Sequence, residues 1–191
     1  DIPVTIKMRS GWNKANLTAE KLTEIAEECG IKAVTIHGRT REQYYDGKAD
    51  WEIIRKVKAK SNIPVIGNGD IFAPGDAEKM FKETGCDAVM IARGVKGNPW
   101  LYERIKYYLK TGKQKDKPSS KVKINMIIKH LKKAVDYFGE DIAVPKMRKH
   151  IAWYLKGLPH SSRIKDEINI MTEEKEIVEL LNRYLQQLLD K

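Results

Sequence analysis

Four short apolar runs, each closed by a polar residue, alternate with amphipathic stretches over residues 3 to 110. The runs Pro3–Met8, Ala33–His37, Pro64–Asn68 and Ala88–Ala92 predict strands. Thr18–Cys29, Trp51–Lys60, Pro74–Thr84 and Pro99–Leu109 carry helical spacing. Thr18 offers a capping hydroxyl with Glu20 in the opening turn, and Pro74 and Pro99 suit a first helical position. Four βα units in succession predict a parallel sheet, because right-handed crossovers lay the intervening helices on it.

The polar residues that end the runs are Lys7, His37, Asn68 and Arg93, at intervals of 30, 31 and 25 residues. That is the period of a (β/α)8 barrel, whose ligand-facing residues sit at the C-terminal ends of the strands. A doubly wound sheet has similar spacing, but no Gly-x-Gly-x-x-Gly follows any of these runs. The expected fold is therefore α/β: the second half of a TIM barrel over residues 1–110, with two open sheet edges and a bare inner face. Such a half is expected to need its missing N-terminal partner, or to self-associate through its edges.

Residues 111–120 are polar, contain Gly, Pro and Ser, and have no periodicity, which marks a linker. Beyond it the strand pattern disappears. Lys121–Phe138, Val144–Leu155, Arg163–Met171 and Glu173–Leu189 read as helices, the last behind a Thr172 cap, so residues 121–191 form a small all-α domain.

Composition narrows the class. Of 191 residues 41% are hydrophobic and 32% charged, which suits a folded, soluble and cytoplasmic protein rather than a disordered one. No run approaches the roughly 20 apolar residues of a membrane span. The chain opens at Asp1 without a methionine and enters a strand at once, which reads as a cut through a longer protein. Cys29 and Cys86 both precede strands and are expected as buried structural thiols. A net charge of +10 favours a polyanionic partner.

Candidate chemistry gathers at the strand ends. Lys7 there suits negative charge on a ligand, or is a solvated lysine. His37, within His37-Gly38-Arg39-Thr40, suits a cofactor heteroatom or a proton transfer, or is a structural hydrogen bonder. Asn68-Gly69-Asp70 and Ala92-Arg93-Gly94 close adjacent strands with glycine-bearing loops, one carrying arginine; together they favour a phosphate cradle over two ordinary turns. His130 and His160 lack partners at metal spacing, so no metal is expected. Tyr44 and Tyr45, in the loop after His37, are expected from their position alone to face the substrate opening. In the helical half, Lys146, Arg148, Lys149 and His150 cluster, with Lys156 and Arg163 close behind, which suits RNA phosphates or a solvated basic face. Met147, Ile151, Trp153 and Tyr154 are expected in the core.

The ordered set Lys7-Met8-Arg9, His37-Gly38-Arg39-Thr40, Asn68-Gly69-Asp70-Ile71 and Met90-Ile91-Ala92-Arg93-Gly94, followed by Lys149-His150-Ile151-Ala152-Trp153-Tyr154-Leu155-Lys156-Gly157, resembles the bacterial tRNA-dihydrouridine synthases over essentially the whole chain. The resemblance implies FMN at the barrel mouth, with Lys7 and His37 at the isoalloxazine and Asn68, Gly69, Asp70, Arg93 and Gly94 around the phosphate. It implies that Arg39, Lys146, Arg148, Lys149, His150 and Arg163 meet tRNA, and that NADPH is the reductant. In that family a hydride goes to one end of the uracil 5,6 double bond and a cysteine supplies the proton at the other. That cysteine follows an Asn-Met-Gly segment ahead of the residue matching Asp1; neither Cys29 nor Cys86 matches it, so this chain alone is expected to be inactive. Two other readings remain open at this point: an FMN barrel oxidoreductase for a small molecule, and an RNA-binding protein without catalysis.

Overall fold

In the computed structural model, which describes residues 2–190, strands β1 (Thr5–Arg9), β2 (Ala33–His37), β3 (Val65–Asn68) and β4 (Ala88–Met90) form one parallel sheet in the order β1-β2-β3-β4. Helices α1 (Ala19–Glu28), α2 (Glu52–Lys60) and α3 (Pro74–Thr84) connect them, and α4 (Leu101–Thr111) follows a 3-10 turn at Arg93–Val95. The fold is α/β as the spacing predicts. Strand alternation divides the side chains between two faces. Ile6, Met8, Val34, Ile36, Val65 and Val89 pack with Ala19, Ala26, Ile54, Val57, Met80, Leu101 and Ile105 of the four helices into one core. Thr5, Lys7, Arg9, Thr35, His37, Asn68 and Met90 take the other face, and none of them joins that core. Among the described residues, strands β1 and β4 each pair on one side only.

Two compact units result. One runs to Val95 and resumes over Leu101–Lys115; the other takes Lys96–Trp100 and continues from Asp116. The second unit contains α5 (Ser120–Phe138), α6 (Glu140–Leu155), α7 (Ser161–Ile170) and α8 (Glu174–Leu189). Ile124, Ile127 and Leu131 of α5, Met147, Ile151 and Leu155 of α6, Ile164 and Ile168 of α7, and Ile177, Leu181 and Tyr184 of α8 build its core at helical spacing. Among the described residues no helix is long and apolar enough to cross a membrane.

Several local expectations need correction. Pro99 does not open a helix: α4 begins at Leu101, and Trp100 instead packs against the second core, its ring edge-on to Tyr154 at 6.2 Å. Burying that indole draws Lys96–Trp100 into the helical unit. Helix α6 starts at Glu140 rather than Val144, because Ala143 and Val144 are both fully buried and Gly139 (φ 78) turns the chain directly from α5 into α6. Thr18 makes no side-chain cap bond; its amide donates to the Ser10 carbonyl instead. Thr172 is likewise not the cap of α8, whose first amide, at Glu174, donates to Glu140 Oε1 at 2.5 Å. Pro74 does open α3, with Asp76 accepting from the Ala73 amide at 2.8 Å. Cys86 is buried, but Cys29 is exposed, since it caps the free end of α1 rather than facing the sheet.

Candidate anion-binding site

The register decides which strand-end residues share a level. Lys7 pairs with Thr35, which pairs with Ile66; Arg9 pairs with His37, His37 with Asn68, and Asn68 with Met90. Lys7 therefore lies one layer deeper than His37 and Asn68, and Arg9, which spacing alone did not single out, stands level with them. The signal was present: Lys7 and Arg9 are two apart in a strand and so share a face. Arg9 Nη1 donates to the carbonyls of Thr40 (2.7 Å) and Tyr44 (2.9 Å), so it also holds the loop after β2.

His37 is buried. Burial, then the charges of Arg9, Lys7 and Arg39, push its imidazole down to about 4 from the ordinary 6.5, with Asp70 opposing. At neutral pH it is therefore an uncharged ring with one N–H to donate, set among cations. Asn68 spends its side-chain N–H on the Met90 carbonyl at 2.7 Å and so ties β3 to β4. Gly69 has φ 131, and a Cβ there would stand 2.6 Å from Ala49 Cβ, so this turn admits no other residue.

Asp70 is the hub of the site. Its carboxylate accepts Arg39 Nη1 (2.8 Å) and Nη2 (2.7 Å), Arg93 Nη2 (2.7 Å) and the Ala49 amide (2.8 Å). Burial opposes its ionisation, yet the bonds from Arg39 and Ala49 and the charges of Arg39 and Arg93 hold the carboxyl below its ordinary value. Arg39 also donates to the carbonyls of Asp46 (3.0 Å) and Gly47 (2.5 Å), and its side chain is 2% exposed. The expectation that Arg39 meets RNA is thus corrected: it is an internal cation that anchors the loop after β2 to Asp70.

Arg93 remains accessible, with its guanidinium 4.6 Å from the Tyr45 ring and 5.4 Å from the Phe72 ring. Beside it, a Cβ on Gly94 would collide with the Ile71 carbonyl oxygen, so glycine lets the loops after β3 and β4 close on each other. Lys7, Arg9, His37, Asn68, Arg93 and Gly94 line one cleft of about 130 Å³, together with Gly69, Asp70 and Tyr45. Among the described residues Asp70 is the only carboxylate in that lining. A larger hollow of about 730 Å³ adjoins it and shares Tyr45, Asp70, Phe72 and Arg93.

In the helical unit the basic residues separate. Lys146 and Lys149 are exposed on α6, with ammonium groups 4.2 Å from the Phe138 ring and 5.4 Å from the Trp153 ring respectively. His150 lies beside them, its ring 4.9 Å from Trp153. Arg148 turns the other way: Nη2 donates to the Met171 carbonyl at 2.8 Å, and its buried Nε has no partner. It serves the packing of α6 against the end of α7 as much as any surface. Arg163 stands on α7, pairing with Glu167 at 2.9 Å. Met147, Ile151 and Tyr154 are core as expected, while Trp153 is only half-buried and lies outside both cores.

Comparison with known proteins agrees with the order of these motifs. The family model for dihydrouridine synthase (Dus) matches residues 1–190. A probable tRNA-dihydrouridine synthase of Rickettsia typhi is 44% identical over 99% of this chain and 58% of its own length. The tRNA-dihydrouridine synthase B proteins of Proteus vulgaris and Escherichia coli are each 38% identical, over 100% and 97% of this chain and 59% and 58% of their own lengths. The chain thus spans somewhat under three fifths of these curated relatives. Among solved structures a mandelate oxidase variant carrying an FMN adduct superposes with a TM-score of 0.32 at 16% identity, over 92% of this chain and 58% of its own, a likeness too slight to bear on the fold. With a family model matched from end to end and relatives of this identity, the chain belongs to the dihydrouridine synthase family.

Proposed function

We propose that this chain is part of a protein that reduces uridine to dihydrouridine in tRNA, with a flavin mononucleotide at the strand ends and NADPH as the source of electrons. The four-stranded sheet is then half of a (β/α)8 barrel. Its parallel order, its single helix-covered face and its two unpaired edges support that reading, as does the share of the relatives' length that it spans.

The observation that carries the proposal is the cationic row on the open face: Lys7, Arg9 and uncharged His37, with Arg93 beyond them. This donor set fits the cofactor. A reduced flavin gathers negative charge along its pyrimidine edge and carries a phosphate dianion, and preorganised cations and N–H donors stabilise such charge. The carboxylate of the cleft, Asp70, is already offset by two arginines. When bound, the flavin supplies the hydride. Lys7 and Arg9 would keep positive charge beside its ring, His37 would donate one neutral N–H, and Arg93, braced by Asp70, Tyr45 and Phe72, would offer its remaining donors to the phosphate.

The proton that completes the reduction is assigned to a group outside this chain. Cys86 is buried in the helix-side core under Gly67, and Cys29 ends α1; both precede strands and so lie at the opposite end of the sheet from His37 and Asn68. The test is dihydrouridine formation in unmodified tRNA by the whole protein supplied with NADPH. Dihydrouridine is expected, and it should be strongly diminished by Lys7→Ala; absence of product from flavin-loaded protein would overturn the proposal.

A further inference from the structure

The loop after β2, residues 41–50, is fastened to the strand-end site by charge rather than by burial. Among the described residues of this loop none joins a hydrophobic core, and most are exposed. Its ends are tied by backbone bonds, from Arg41 and Glu42 to Gly11 and Trp12 and from Asp50 to Gly38. Between those ends the fastenings to the site are polar. Arg39 Nε and Nη2 donate to the carbonyls of Asp46 and Gly47, the Ala49 amide donates to Asp70, and Arg9 Nη1 donates to the Tyr44 carbonyl. Tyr45, at the mouth of the cleft, lays its ring 4.6 Å from the Arg93 guanidinium.

Asp70 joins this loop to Arg93. Its Oδ1 accepts from Arg39 and Arg93 and its Oδ2 from Arg39 and Ala49, which fills the roughly four acceptor positions of a carboxylate. Two guanidinium groups thus share one carboxylate, and one positive charge stands in excess. That excess falls to Arg93. Arg39 spends Nε, Nη1 and Nη2 on internal acceptors, whereas Arg93 donates to Asp70 through Nη2 and keeps a side chain that is 29% exposed. Asp70 holds its place in the left-handed backbone region, φ 57, and Tyr44 takes another such conformation, φ 47. These are uncommon outside glycine and persist where the surroundings hold them. At both residues an arginine supplies the hold.

We infer that Arg39 is a positioning residue which, through Asp70, couples the loop after β2 to the anion held by Arg93, so that the flavin's phosphate draws the loop and its Tyr45 closed over the strand ends. This rests on the reading that the phosphate of flavin mononucleotide lies at Arg93. Without an anion there, the two guanidinium groups repel each other across the one carboxylate they share. A phosphate offsets the excess charge, tightens the hold of Arg39 on Asp70, Asp46 and Gly47, and fixes the guanidinium against which the Tyr45 ring lies. A loop seated in the core would keep its place whatever the charge at Arg93; one held by polar contacts responds to it. The coupling is reciprocal, so what the phosphate does for the loop, the loop does for phosphate affinity. A flavin that lacks the phosphate fills the ring site and leaves the loop as it is in the free protein.

The test titrates the whole protein, freed of flavin, with FMN and with riboflavin by flavin fluorescence, and follows amide hydrogen exchange of residues 41–50 at saturation with each. FMN is expected to bind about tenfold more tightly than riboflavin and to slow that exchange several-fold, where riboflavin leaves it unchanged. Arg39→Lys keeps the charge but loses the fork that spans Asp70, Asp46 and Gly47. It should lower FMN affinity about tenfold, keep riboflavin affinity within about twofold, and abolish the slowing of exchange. A merely structural role would weaken both flavins alike. An FMN preference accompanied by equal exchange under the two flavins, or one that Arg39→Lys leaves intact, would overturn the coupling and leave the phosphate assignment standing; so would an equal loss of both flavins. Should the variant fail to fold, the exchange comparison in the parent decides. Equal affinity of the parent for FMN and riboflavin, or binding of neither, would overturn the phosphate reading itself, and the coupling with it.

Discussion

Replacing Asp70 by alanine is the sharpest perturbation of the strand-end site. Arg39 would keep only the carbonyls of Asp46 and Gly47, with its side chain 2% exposed and its countercharge gone. Breaking a buried pair by removing one partner typically costs about 3–5 kcal/mol, because the remaining charge stays desolvated. The Asp70 side chain is 22% exposed. Water therefore reaches part of the vacated space, and about 3 kcal/mol is the expected loss. In urea, with a slope of about 2 kcal/mol per M, the unfolding midpoint should drop by about 1.5 M. Tryptophan fluorescence can follow this, since Trp51 Nε1 donates to the Gly69 carbonyl next to the hub at 3.1 Å. Removing both charges, as Arg39→Met with Asp70→Leu, should recover most of the loss, because no buried ion is then stranded. A midpoint for Asp70→Ala within about 0.3 M of the parent, or a double variant as unstable as the two single losses combined, would refute the hub.

Three further outcomes follow from the same geometry. With its folded-state pKa at about 4, His37 should show no NMR titration step near 6.5; the stability it contributes is complete above 6.5 and is lost as pH falls toward 4, and Arg9→Gln should move the step upward. A step near 6.5 in the parent would contradict the buried cationic surroundings. Gly94→Ala should destabilise by about 1–3 kcal/mol in urea, since the new methyl group meets the Ile71 carbonyl; an unchanged midpoint would mean that the two loops do not close as described. The 191-residue chain alone, given FMN, NADPH and tRNA, should form no dihydrouridine, and detectable product would place the proton donor within it.

The four strands and the helices between them were legible because apolar runs and helical spacing are local signals. The polar strand ends were legible too, but their levels were not. Spacing along the chain does not fix the register between strands, and only pairing shows that Arg9, not Lys7, stands beside His37 and Asn68. Arg39 was misread for a related reason: its partner Asp70 lies 31 residues away, and a cationic side chain reads as surface until that partner is known. The boundary near Val95 was hidden because Lys96–Trp100 abuts a helical pattern, while its assignment depends on where Trp100 finds a core. Trp153 was expected inside for its size, and the paired lysines that hold it at the surface come from segments 53 residues apart, at Lys96 and Lys149.

Flavin retention tests the central claim most directly. The whole protein, purified without added cofactor, should show flavin absorbance near one equivalent per chain, and Arg93→Ala and Lys7→Ala should each lower that occupancy while the fold persists by circular dichroism. Protein that carries no flavin and takes up none on titration, or variants that retain it as firmly as the parent, would contradict the assignment of the strand-end cations to the cofactor.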